Sequence, residues 1–260
     1  MPKKTSLQKE WEKNVKQEER FLCKRLEKQD SFLNQKLEGK IPPKLQDTLD
    51  AAFEKAFSLI FEKGMAVIEK TYRKEKITQD YQINEYIASV REDKKSLRSV
   101  SKAAKNAGTK NLLLAGASGM GMGVLGIGIP DIPVFTGMIL RNIYEIAMNH
   151  GYTYESEAER YFILLLIEGA LSCGENHRSI DQRISQFIEK EEIPNGQNVQ
   201  SQVQETATAM SRELLYMKFL QGIPVVGVVG GAYDAIYMNR ITEYAVMKYR
   251  HRYLRSKRML

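Results

Sequence analysis

Residues Leu112–Gly151 read LLLAGASGMGMGVLGIGIPDIPVFTGMILRNIYEIAMNHG, and from Leu112 to Leu140 the only charge is Asp131. Past Leu140 the pattern becomes that of an amphipathic helix carrying Arg141 and Glu145. A shorter version returns at Phe219–Tyr249, FLQGIPVVGVVGGAYDAIYMNRITEYAVMKY. Each stretch has a Gly-rich apolar lead, an Ile-Pro, a lone Asp, and a helix with an Arg and a Glu-x-Ala. The match is loose, because superposing Glu145-Ile146-Ala147 on Glu243-Tyr244-Ala245 leaves Asp131 and Asp234 out of register. Both stretches predict two helices meeting at a tight junction, and two such hairpins can pack face to face.

Three readings compete for the Gly-rich lead. Gly121, Gly123 and Gly126 fit G-x-G-x-x-G, with Glu145 about 20 residues on. That fingerprint needs a preceding strand and a regular helix from its last Gly, whereas Ile129-Pro130-Asp131-Ile132-Pro133 interrupts almost at once. Nucleotide binding is therefore disfavoured. The second reading is close helix packing. Ala115, Gly119 and Gly123 recur at every fourth position, as do Gly227, Gly231 and Ala235, giving small faces that let backbones approach. The third places that packing inside lipid. Leu112–Pro130 is about 19 uncharged residues, near the lower limit for a span, and Asp131 would cost about 2.5–3.5 kcal/mol at mid-bilayer. A buried or membrane-touching hairpin is favoured over a spanning one. Gly119, Gly123, Gly227 and Gly231 are the candidate membrane-facing positions.

The rest of the chain reads as helix. Leu7, Trp11, Val15, Leu22, Leu26, Leu33 and Leu37 form one stripe on a long charged helix, which stops at Pro42-Pro43. Residues 1–40 are expected to be a charged helical arm and 41–250 the main helical domain, followed by a basic tail over 251–260. Leu45, Leu49, Phe53, Phe57, Ile60, Phe61 and Ile68 mark a second helix, in which Gly64 is expected to let another helix come close. Thr78–Ala107 predicts a weaker helix or a pair of them. Ser156–Cys173, apolar nearly all round, should be a central buried helix, and Ser179–Glu191 and Ser201–Gln221 supply two more. No sustained period-2 alternation appears, so the fold class is all-α: a multi-helix domain built on two Gly-rich hairpins.

The 39 basic and 32 acidic residues give a net charge of +7. The excess sits beside the apolar stretches. Lys94, Lys95, Arg98, Lys102, Lys105 and Lys110 precede the first. Lys248, Arg250, His251, Arg252, Arg255, Lys257 and Arg258 follow the second. Flanking charge of this kind suits an anionic inner-leaflet surface, at about 1 kcal/mol per residue near the membrane. It lacks the interleaved aromatics of a nucleic-acid platform, so nucleic acid is not an expected partner. Cys23 and Cys173 are the only cysteines, and residues 1–20 carry no apolar signal region, so a reduced cytoplasmic setting is expected.

Gly123–Tyr152, with its Ile-Pro-Asp-Ile-Pro junction, Arg-bearing helix and closing Gly-Tyr, resembles the EcsC family. The second Gly-rich stretch, with Tyr233-Asp234 and Asn239-Arg240-Ile241, fits as well, so the resemblance covers roughly residues 50–250. It implies a bacterial protein encoded beside the ATPase and membrane subunits of an ABC exporter linked to protein secretion. The family has no established biochemical activity. The expected partners are therefore the membrane surface or the transporter subunits, with a non-enzymatic binding role and no cofactor or metal.

Candidate chemistry is sparse. Cys173, Glu175 and His177 lie within one helical turn, a spacing that could activate a thiol, although Gly174-Glu175-Asn176 also reads as a helix end. The alternative function is accordingly a hydrolase acting on a peptide or lipid, with Cys173, His177, Asp131 or Glu145 in its site. A further alternative is an integral membrane hairpin protein. The better binding candidates are Asp131 with Arg141 and Glu145, and Asp234 with Arg240, since charges in apolar surroundings need partners. The plainer reading makes Asp131 a helix cap, with Pro133 in the first turn, and Arg141–Glu145 an ordinary i,i+4 pair.

Overall fold

A computed structural model describes residues 4–27, 42–91, 93–107, 131–220 and 230–259. The Gly-rich leads, Gly119, Gly123 and Gly227 among them, lie outside the described residues, as do the surroundings of Gly231 and the side chains of Asp131 and Asp234. Among the described residues all regular structure is helical.

Helix α1 (Ser6–Glu27) opens with a reciprocal cap: the Gln8 amide donates to Thr5 Oγ1 at 3.1 Å while the Thr5 amide donates to Gln8 Oε1 at 3.0 Å. Helix α2 starts at Pro43, where the missing N–H leaves no bond unmade. It runs as Pro43–Leu59, a π-helical turn Ile60–Gly64, and Met65–Glu69. The extra residue in that turn brings the consecutive Ile60 and Phe61 both to the core. Gly64 therefore closes a π turn and does not make room for a neighbour. The atom nearest to a Cβ there would be on the Ile60 side chain of the same helix, at 3.4 Å.

The weak pattern that follows resolves into a pair, α3 (Lys74–Arg91) and α4 (94–107). Helix α5 (Asp131–Asn149) begins at the Ile-Pro-Asp junction with Pro133 in its first turn, and ends on Gly151 in the left-handed conformation. A side chain at Gly151 would also run into the Tyr81 ring. Then come α6 (Glu157–Leu171), α7 (Gly174–Lys190), α8 (Val199–Leu220) and α9 (Gly230–Met259).

Helix α6 is the centre of the molecule. Tyr161 through Leu171 are all buried, and α7, α8 and α9 pack around it. The aromatic and aliphatic sequence leaves no polar stripe for water, which is why the helix is enclosed on every side. It comes close to α9 at Gly169, where a Cβ would lie within 2.9 Å of the Tyr244 ring. Helix α2 lies mainly along α8 and also meets α5, while α1 lies across α9 and α7.

Candidate functional site

The end of α9 is held inside the molecule by ion pairs. Lys248 is 2% exposed and bridges Glu18 of α1 at 3.1 Å and Asp181 of α7 at 2.8 Å. Arg250 meets Glu10 of α1 at 2.5 Å, and the same carboxylate takes Arg98 of α4 at 2.7 Å. Arg252 donates through Nη1 to both oxygens of Glu159 at 2.8 and 3.0 Å, with the Tyr249 hydroxyl completing that carboxylate at 2.6 Å. Its guanidinium also sits over Tyr152 at 3.9 Å and Phe162 at 4.6 Å. Burial pushes the Glu159 carboxyl up, against the pull of Arg252 and Tyr249. The expectation that this whole basic cluster lies on the surface to meet a membrane is corrected here. Lys248, Arg250 and Arg252 are structural cations, buried because unpaired charge in the interior is costly and carboxylates from three helices meet them. Helix continues through residues 251–259, where Tyr253 and Leu254 are buried.

Beside these pairs, α1 and α9 line an open cleft of about 600 Å³, with Lys105 of α4 also in its wall. Its lining carries six cations, Arg20, Lys24, Arg25, Lys105, Arg240 and Arg250, against one carboxylate, Glu243. Phe21, Val246 and Met247 supply apolar wall. Arg240 is paired with Glu213 at 3.3 Å and Arg250 with Glu10. Arg25 is buried and gives its donors to main-chain carbonyls at the end of α6, Leu171 O at 2.6 Å and Ser172 O. The negative end of that helix thus receives the cation. Burial and the neighbouring Arg240 both lower the Arg25 pKa. Arg20 and Lys24 are exposed and make no hydrogen bond or ion pair among the described residues. Two buried polar atoms of the lining, Arg250 Nε and Asn14 Oδ1, are also left without a partner among the described residues.

A second surface lies on α3 and α4. Ile83, Tyr86, Ile87 and Val90 follow the i, i+3, i+4, i+7 spacing of one helix face and are 59, 71, 38 and 65% exposed. The opposite face of α3 is docked: Ala88 is buried, and Glu85 takes the Tyr253 hydroxyl at 2.9 Å. So α3 is apolar on two faces, which is why its periodicity reads as weak. Past its end Asp93 caps α4, accepting from the Ser96 amide at 2.7 Å, and Lys94, Lys95, Lys102 and Lys105 of that helix are exposed.

The residues singled out from sequence fall in separate places. Arg141 bonds Glu145 at 3.0 Å within α5, the ordinary i,i+4 pair. Arg240 lines the cleft from α9. Cys173 precedes the first residue of α7, so Gly174 opens a helix and does not end one. The His177 ring packs against Phe21 and Tyr244, with Nδ1 on the Gly169 carbonyl at 2.7 Å and no hydrogen-bond partner at Nε2 among the described residues. Burial lowers its pKa, and takes that of His150 down to about 4. Both imidazoles are therefore neutral packing groups at ordinary pH. Glu10, Glu18, Glu159 and Asp181 were missed. The available signal was Glu10 and Glu18 recurring two turns apart on α1, opposite a basic helix rich in Tyr.

A family model described as the EcsC protein family matches residues 5–254. This chain belongs to that family. The match takes in α1 and nearly all of α9 together with the helices between them. The chain is also 30% identical over 126 residues to an uncharacterized protein, YdbA, of Bacillus subtilis strain 168. The aligned region covers 47% of this chain and 45% of that relative, so the chain spans less than half of its length. No solved structure matches the chain.

Proposed function

We propose that this protein is a non-enzymatic accessory of a bacterial ABC exporter that docks on the cytoplasmic membrane face through α3 and α4. The observation that carries the reading is the exposed apolar stripe Ile83–Tyr86–Ile87–Val90 ending beside the exposed Lys94 and Lys95. An apolar strip with adjoining cations is the chemistry of a helix lying in the headgroup layer of an anionic bilayer. No described helix is long and apolar enough to cross a membrane, which leaves surface contact as the mode open to these helices. Membership of the EcsC family supports the exporter context that the sequence resemblance implies.

The test is flotation with phosphatidylglycerol vesicles at low salt, with phosphatidylcholine vesicles for comparison. The protein should float with the anionic vesicles and be released by salt. Lys94→Glu with Lys95→Glu should weaken binding at least tenfold, at about 1 kcal/mol for each charge near the surface. A protein that ignores phosphatidylglycerol vesicles at low salt would sink the reading. The exporter partnership is checked separately, by crosslinking in cells to the transporter's membrane subunits.

A further inference from the structure

We propose that the cleft between α1 and α9 is a binding site for an organic phosphate, engaged by Arg20 and Lys24 in the field of Arg25, Arg240 and Arg250. This goes beyond membrane docking, because the phosphate can belong to a phospholipid headgroup or to a soluble compound. Charge comes first. After the Glu213–Arg240 and Glu10–Arg250 pairs are set aside, the lining still holds Arg20, Lys24 and Arg25 against Glu243. Such a lining repels cations and concentrates anions in a concave, low-dielectric space.

The kind of anion follows from the donors. Guanidinium groups match the paired oxygens of phosphate, and a nearby ammonium adds a point charge. Arg25 is already ordered by the α6 carbonyls and bonds no carboxylate among the described residues. Phe21, Val246 and Met247 supply wall for the carbon skeleton of an organic phosphate. A space of about 600 Å³ holds one small molecule or headgroup.

The experiment titrates sn-glycerol 3-phosphate into the full chain by calorimetry, and floats the chain with phosphatidylglycerol vesicles in parallel. The key variant is Arg20→Glu with Lys24→Glu, at exposed positions on α1, so its melting temperature should match wild type. Wild type should bind glycerol phosphate and the variant at least tenfold more weakly, while Lys94→Glu with Lys95→Glu leaves that binding unchanged. If glycerol phosphate also displaces vesicles, lipid headgroup and soluble phosphate share the cleft. If only vesicle binding is lost, and lost further than in the charge-matched Lys94 and Lys95 variant, the headgroup alone is the ligand. The proposal is overturned if Arg20→Glu with Lys24→Glu changes neither binding. Vesicle binding that persists in that variant but fails in the Lys94 and Lys95 variant, with glycerol phosphate binding the same in all three proteins or absent from all three, would leave membrane docking standing and remove the cleft.

Discussion

Helix α4 carries Lys94, Lys95, Lys102 and Lys105 at exposed positions, whereas the last turns of α9 take Lys248, Arg250 and Arg252 into the interior. Both segments are rich in lysine and arginine, and both adjoin a Gly-rich apolar stretch. The difference lies in what crosses them. Helix α9 is covered by α1 and α6, and α7 brings Asp181 to Lys248 and Glu191 to Arg252, so its cations meet Glu10, Glu18, Glu159 and Asp181 at bonding distance. On α4 Arg98 pairs with Glu10, while Lys94, Lys95 and Lys102 are exposed. A run of positive charge therefore has no fixed meaning until its neighbours are known. Where carboxylates converge it is internal structure, and where they do not it is a surface that can do work.

The largest effect expected on the interior side is at Arg252. Glu159→Gln leaves a buried guanidinium with only the exposed Glu191 as carboxylate partner, and should lower unfolding stability by about 3–5 kcal/mol in urea titrations. Adding Arg252→Met to Glu159→Gln should recover part of that loss, because no buried charge is then left without its counter-charge, and the Tyr249 hydroxyl can still donate to the amide oxygen at 159. A double variant as unstable as the single would show that packing of the ring cage, and not charge, dominates the site.

Lys248→Met should come next, at about 3 kcal/mol near neutral pH. Its pH dependence carries the sharper information. Burial pushes the Asp181 carboxyl up, but Lys248 outweighs it and holds the group below the ordinary carboxylate range. In the wild type that contribution is fully present above the unfolded pKa of about 3.9, and is lost as pH falls through the lower folded value. Without Lys248, burial wins and Asp181 binds its proton more readily folded than unfolded. The gap between variant and wild type should thus narrow as pH falls from about 6 towards 4. A gap that stays constant would mean that Asp181 is not governed by Lys248.

The smallest effect is expected on the outer side. Lys94→Glu with Lys95→Glu should change stability by no more than about 0.5 kcal/mol in the same titrations, while altering vesicle binding. A large loss of stability there would erase the contrast between the two segments.

Much of the helical layout is legible in local pattern. The Phe53–Phe57–Phe61 face of α2 and the all-round apolar run of α6 mark buried helices because their periodicity leaves no alternative, and both are buried as that pattern requires. The Arg141–Glu145 pair is equally local. The π turn at Ile60–Gly64 carries no such mark, since one extra residue in a helix is decided by how Ile60 and Phe61 pack against the core. The second apolar face of α3 hides itself, because two opposed faces cancel the periodicity of each. The cleft is further from view. Its lining comes from residues 14–25, 105 and 239–250, and no window along the chain contains all three.

Sequence alone determined the all-α class, the central place of α6 and the family, since each rests on contacts or motifs within a few turns. Only the tertiary structure decided which cations are core and which are surface, and that Arg20, Lys24 and Arg25 face Arg240 across a cleft. The physical reason is that the fate of a charge depends on the counter-charges and water around it, and in a folded chain those are supplied by residues distant in sequence.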